Sequence, residues 1–293
     1  MKRRDGLRAL GLASLASLWG MGATRHAWAR DGARPLPAAR LVSVHSSLTE
    51  TVYRLGAQDQ LVGTDTTSTF PEAANHTRKV GYMRTLSAEG LLALRPTAVL
   101  ATDDAGPPVV LAQLKQAGVP VHVLRSTLRF DDVLEKVRLV AQLTQREAQG
   151  RALAATLQAQ WQAVQGRLAS QRAAGAPRVM FVMAHGGGAM TAGRETSAHA
   201  MLQLAGARNA LEQVHGFKAL NAESVVLAQP DVVLTTTESL AFLGGPERLW
   251  QQAGLAQTPA ARRQRLVALD GMALLGFGPR MPEALDQLQR QLS

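Results

Sequence analysis

The residues with the clearest chemistry lie in the stretch Val80-Gly81-Tyr82-Met83-Arg84-Thr85-Leu86-Ser87-Ala88-Glu89-Gly90. A tyrosine and an arginine stand two residues apart, just before a helix start. Ser87 reads as its N-cap, and Glu89 falls in the first turn, where the helix dipole favours an acid. A guanidinium beside a phenol stabilises the phenolate. A phenolate oxygen is a good ligand for ferric iron, haem iron included. The plain alternative is that Tyr82 packs at a loop and Arg84 is solvated.

Other polar candidates are spread along the chain. His45 and His185 each follow an apolar run that reads as a strand, and Asp103 and Asp104 follow another. His45 is equally a turn histidine satisfied by its neighbours. His185-Gly186-Gly187-Gly188 resembles the oxyanion loop of esterases, but no G-x-S-x-G elbow accompanies it. Those glycines let backbone amides approach a flat ligand instead. His45, His185 and Asp104 leave open a metal site converging from two places. His76 precedes Tyr82 in a polar loop, and His122, His199 and His215 carry no spacing signal. No dinucleotide or P-loop fingerprint is present.

The elements that must position these groups read as an α/β chain. Apolar runs at Leu41–Val44, Leu61–Gly63, Ala98–Thr102 and Val119–Leu124 alternate with helix-like segments, which argues for a parallel sheet. From Phe130 to about Ala174 apolar residues recur at helical spacing, which predicts a long helix, broken at most once, with Gly150 as the candidate kink. Forty helical residues would span about 60 Å. The first pattern then returns. Leu86–Thr102 (LSAEGLLALRPTAVLAT) and Leu220–Thr236 (LNAESVVLAQPDVVLTT) match in register at an offset of 134 residues, and this pairs Glu89 with Glu223. The fold expected is two Rossmann-like lobes with mainly parallel sheets, bridged by a long helix, with a ligand cleft between them. The divisions are 1–29, 30–128, 129–176 and 177–293.

Composition narrows the classes. The 293 residues contain no cysteine, which excludes disulfides, zinc–thiolate sites and iron–sulfur clusters. Lys2, Arg3, Arg4 and Arg8, the apolar run Ala9–Ala23 and Ala27-Trp28-Ala29 predict a secretory signal peptide cut after Ala29. Its removal takes away five basic residues (Lys2, Arg3, Arg4, Arg8, Arg25) and one acid (Asp5), so the formal charge falls from +10 to +6. The remaining basic residues are scattered and aromatics are few, so no nucleic-acid surface is expected. The expectation is an exported monomer in the periplasm that suits an anionic ligand.

With these features together, the chain resembles the cluster A (class III) periplasmic binding proteins that serve ABC importers, and most of all their haem-binding branch. The resemblance rests on Ser47-Leu-Thr-Glu50, Val80-Gly-Tyr-x-Arg84 running into Leu86-Ser-Ala-Glu-Gly90, Leu94-Arg-Pro96, Asp104-Ala-Gly-Pro107, Ala192-Gly-Arg194 and Gly276-Phe-Gly-Pro-Arg280. It implies that Tyr82 ligates ferric haem iron and that Arg84 hydrogen-bonds the phenolate. His185 stands where some members carry a second iron ligand. Met83 and Met190 would cover the ring faces, Arg194 would reach a propionate, and His45 would line the cleft. Glu89 and Glu223 would dock arginines of the permease dimer in the inner membrane. Two rivals stay open: cobalamin or a ferric siderophore on the same fold, and an exported enzyme using Asp103/Asp104 or the His185 loop.

Overall fold

In the computed structural model, residues 39–171 and 175–293 are described. The signal peptide expected over residues 1–29 lies outside them. The first half runs β1 (Leu41–Val44), α1 (Ser46–Arg54), β2 (Leu61–Thr64), α2 (Ala88–Leu92), β3 (Ala98–Thr102), α3 (Pro108–Gln116) and β4 (Val121–Leu124). Two helices follow, α4 (Phe130–Thr144) and α5 (Glu147–Gln171). The second half opens with β5 (Arg178–His185), β6 (Gly188–Ala192), α6 (Ser197–Leu204), β7 (Arg208–Asn209) and β8 (Phe217–Ala219). It continues through α7 (Ala222–Ala228), β9 (Val232–Thr236), α8 (Thr237–Leu243), α9 (Pro246–Trp250) and α10 (Pro259–Arg262). β10 (Leu266–Leu269), α11 (Gly271–Leu275) and α12 (Met281–Leu292) close it.

Each half builds its own sheet. The first has the order β2-β1-β3-β4, all parallel. Both its faces are covered, which is why its strands are unbroken apolar runs. Val99 and Ala101 face Leu91, Val110 and Leu114 of α2 and α3, whereas Leu100 faces Leu48 and Val52 of α1 and its C-cap Leu55. The second sheet has the order β10-β9-β5-β6-β8, with β7 also on β5. Its β10, β9, β5 and β7 are parallel, and β6 and β8 are antiparallel additions. The offset of 134 holds element by element: Ser87 and Asn221 are the N-caps of α2 and α7, and β3 and β9 are both fully buried.

The long bridge is broken once, at Gln145 and not at Gly150. Gln145 adopts a left-handed conformation (φ 57°) and ends α4, and α5 then folds back along it. Gly150 is not a kink. It lets the two helices touch, since a methyl group there would collide with the side chain of Ala141. At the other end of the pair Phe130 and Trp161 stack at 4.6 Å. The 25-residue α5 spans about 37 Å, not 60 Å. Phe130, Val133 and Val137 of α4 belong to the core of the second lobe, while Val140 and Ala141 belong to that of the first. The helix pair therefore buries surface in both lobes.

Candidate functional site

The carboxyl ends of β1, β2 and β3 carry the polar groups of the first lobe. β1 runs into His45, β2 into Asp65, and β3 into Asp103 and Asp104. Asp65 is fully buried and organises the loop between β2 and α2. It accepts from His45 N (3.0 Å), Thr67 N (3.0 Å), and the Ser68 (2.7 Å) and Thr67 (2.6 Å) hydroxyls. Lys79 Nζ holds the same loop through Ser68 O and Ala74 O. The chain then returns over the strand ends, with Thr66 N donating to Gly81 O and Gly106 N to Met83 O. Tyr82 is fixed at this place by its backbone. Its side chain is 45% exposed, and its hydroxyl has no hydrogen-bond partner among the described residues.

Arg84 departs from the expected contact with the phenol. Its Nη2 donates to Asp104 Oδ2 at 3.1 Å. Burial alone would raise the Asp104 carboxyl. The Thr102 hydroxyl at 2.6 Å, His45 and Arg84 outweigh that and hold it below the ordinary value. Both Arg84 and Asp104 are exposed, so their pair is worth only about 0–1 kcal/mol. The guanidinium can therefore exchange this carboxylate for another anion at little cost. Met83 also departs from expectation. It is 4% exposed and packs in the first lobe's core, because the loop turns it inward between Tyr82 and Arg84.

His45 caps α1: its Nδ1 accepts from Ser47 N (3.2 Å) and lies 2.7 Å from Ser47 Oγ. This is the turn-histidine alternative. Its backbone has φ 130°, a strained region for a residue with a Cβ. Burial, then the Lys136 ammonium, lowers its pKa to about 4. The folded form thus favours the neutral ring. The associated stability is complete above the ordinary pKa of 6.5 and is lost as pH falls towards 4, on the order of 3 kcal/mol. His45→Asn keeps a capping oxygen and tolerates positive φ. We expect denaturant unfolding at pH 7 and pH 4.5 to show a smaller acid loss in the variant by at least about 1 kcal/mol. Equal losses would place the acid sensitivity elsewhere.

In the second lobe His185 ends β5 at the tip of the β5–β6 hairpin, pairs with Gly188 and is exposed. Met190 is half-buried on β6. Arg194 is not brought beside His185. β6 carries the chain away from the tip, so Arg194 lies six residues beyond Gly188, roughly 20 Å of extended chain. Its Nη2 sits 2.9 Å from His215 Nε2. Asp103 accepts from Ser126 N (3.1 Å) and braces a loop, so it and Asp104 are separately engaged. Among the described residues no three His, Cys, Asp or Glu side chains converge as a metal site.

Three residues gained no role from the sequence pattern. Lys136 of α4 is fully buried, donates to Phe277 O at 2.9 Å, and is pushed down to about 8 by burial. Glu50 of α1 is 4% exposed and accepts from Arg280 Nε at 2.9 Å. Burial raises its carboxyl, and Arg280 only partly offsets this. Phe70 lies under the Arg280 guanidinium at 3.7 Å. Lys136 had one signal, a charge set between Val133, Val137 and Val140 on a buried helical stripe.

Two α/β lobes meet here through Gly276, Gly278 and Arg280 of the second against Ser46, Ser47 and Glu50 of the first, bridged by helices that belong to both cores. That arrangement, with an exposed tyrosine over the strand ends, defines a two-lobed substrate-binding protein. The chain belongs to the periplasmic binding protein family, whose model matches residues 41–273. It is similar to the periplasmic haem-binding protein BhuT in complex with two haems, at 43% identity and a TM-score of 0.80, over 86% of this chain and 97% of that one. It is similar to the periplasmic haem-binding protein RhuT from Roseiflexus sp. RS-1, at 38% identity and a TM-score of 0.81, over 87% and 98%. A vitamin B12-binding protein of Vibrio cholerae is 25% identical over 87% of this chain and 90% of its own length.

Proposed function

We propose that this protein captures ferric haem between its lobes and delivers it to the permease of an ABC importer. The observation that carries the reading is Tyr82, an exposed phenol whose oxygen is bound to no described group, on a chain 43% identical to haem-bound BhuT. Tyr82 binds the iron as phenolate. Arg84 leaves Asp104 to meet the anionic oxygen or a propionate. His185, at the exposed hairpin tip, is the candidate for a second ligand. His45 and Met83 serve the first lobe's structure instead. The protein acts as a monomer in the periplasm after losing residues 1–29, and its lobes are residues 30–128 and 177–293, with 129–176 between them. Its relatives are binding proteins, in keeping with a role in transport and not turnover.

The second reading is cobalamin, favoured by the vitamin B12-binding relatives. Absorption titration of the mature protein with hemin, beside a titration with cyanocobalamin, separates the two. A saturable Soret change with hemin and none with the corrinoid supports haem. The reverse pattern replaces it with cobalamin.

A further inference from the structure

The turn at residues 276–280 of the second lobe touches the first lobe at several points. Arg280 is 11% exposed on its side chain and Glu50 5%, and they pair at 2.9 Å across 230 residues of sequence. Arg280 Nη1 also reaches Asp270 Oδ1 at 3.1 Å, in its own lobe. Its plane covers the Phe70 ring at 3.7 Å, back in the first lobe. Two residues earlier the backbone of Gly278 lies against Ser47. A methyl group there would come within 3.0 Å of Ser47 Cβ and 3.1 Å of its Cα. Phe277 O accepts from the buried Lys136 of the bridging α4.

From this geometry we infer that Arg280 is a positioning residue for ligand capture: it clasps α1 and Phe70 of the first lobe to the second, fixing the cleft opening and holding the Phe70 ring at the cleft edge for a flat aromatic ligand. The covalent bridge through α4 and α5 sets where the lobes are joined. The clasp sets how far apart they rest. A guanidinium suits the position because it presents Nε to one carboxylate, Nη1 to a second and its plane to a ring at once, and an ammonium cannot do all three. Phe70 is covered on one side by Arg280 yet remains 37% exposed, so part of its apolar surface is left for a ligand. The part of the inference concerning the ligand rests on the haem reading above, while the lobe spacing does not.

The test uses the full mature chain. The sequence has no cysteine, so a spin-label pair at Gln113→Cys on α3 and Gln251→Cys after α9 reports the lobe separation without background. Arg280→Ala is expected to broaden and lengthen the distance distribution of the ligand-free protein. It is also expected to speed hemin dissociation at least 10-fold, with the association rate changed less and the Tyr82 charge-transfer band unmoved. Arg280→Lys is expected to fall between the two proteins in both measurements. Phe70→Leu is expected to speed dissociation at the native separation. A folded Arg280→Ala protein with native distances overturns the clasp. If that variant does not fold, native distances and native dissociation in Arg280→Lys overturn it. Failure of the native protein to bind hemin removes the haem reading and leaves the distance measurement as the test of the clasp.

Discussion

Tyr82→Phe is expected to weaken hemin binding by at least about 100-fold, or about 2.7 kcal/mol, and to abolish the phenolate-to-iron charge-transfer band. The fold should not change. The ring is 45% exposed and its hydroxyl holds no described group, so removing that oxygen leaves nothing buried unsatisfied. Substitutions at such surface positions stay within about 0.5 kcal/mol of stability. The large effect on binding and the small one on melting temperature therefore isolate the iron bond. Protons compete with ferric iron for the phenolate, so wild-type affinity should fall with acid and the variant's residual affinity should not follow that curve. Retained binding with the band lost would keep Tyr82 as the native ligand but give most of the affinity to other contacts, and His185→Ala should then remove what remains. An unchanged band in Tyr82→Phe would sink the assignment of Tyr82.

Much of this site was legible in the sequence, and the reasons differ by residue. The repeat at 134 residues placed the N-caps of α2 and α7 and the bounds of β3 and β9 in register, although α7 runs two residues further than α2, because two copies of one pattern constrain each other. The position of Tyr82 followed from its place before a capped helix. The place of the break in the bridge did not, because Gln145 carries no turn signal while Gly150 does. The β6 and β8 additions escaped because a hairpin tipped with Gly186 and Gly187 reads as a loop, and α8 escaped because it starts directly at the end of β9. Arg84 and Asp104 are close in space but 20 residues apart, and local spacing pairs the arginine with Tyr82 instead. Met83 lies between two exposed residues, and local spacing does not say which way a loop side chain turns. The Glu50–Arg280 contact spans 230 residues, and no local pattern reports a pair of that range.

The double variant Glu89→Ala, Glu223→Ala is expected to cut haem delivery to the reconstituted permease at least 10-fold while leaving the hemin titration unchanged. Both acids follow an N-cap by two residues, both are exposed, and neither has a partner among the described residues. A first-turn acid also stabilises its helix by about 0.3–1 kcal/mol through the dipole. If that were their whole role, the variant would melt a few degrees lower and deliver haem normally. Docking makes a different demand. One charge sits on each lobe, so a permease that grips both can strain the clasp between them, and each single variant should lose part of the delivery rate. Stimulated ATP hydrolysis and haem transfer, measured beside the melting temperature, separate the two roles. Full delivery by a slightly destabilised double variant would leave the dipole as the reason for both acids. Lost delivery with native melting and native haem affinity would make them the contact through which the permease opens the cleft.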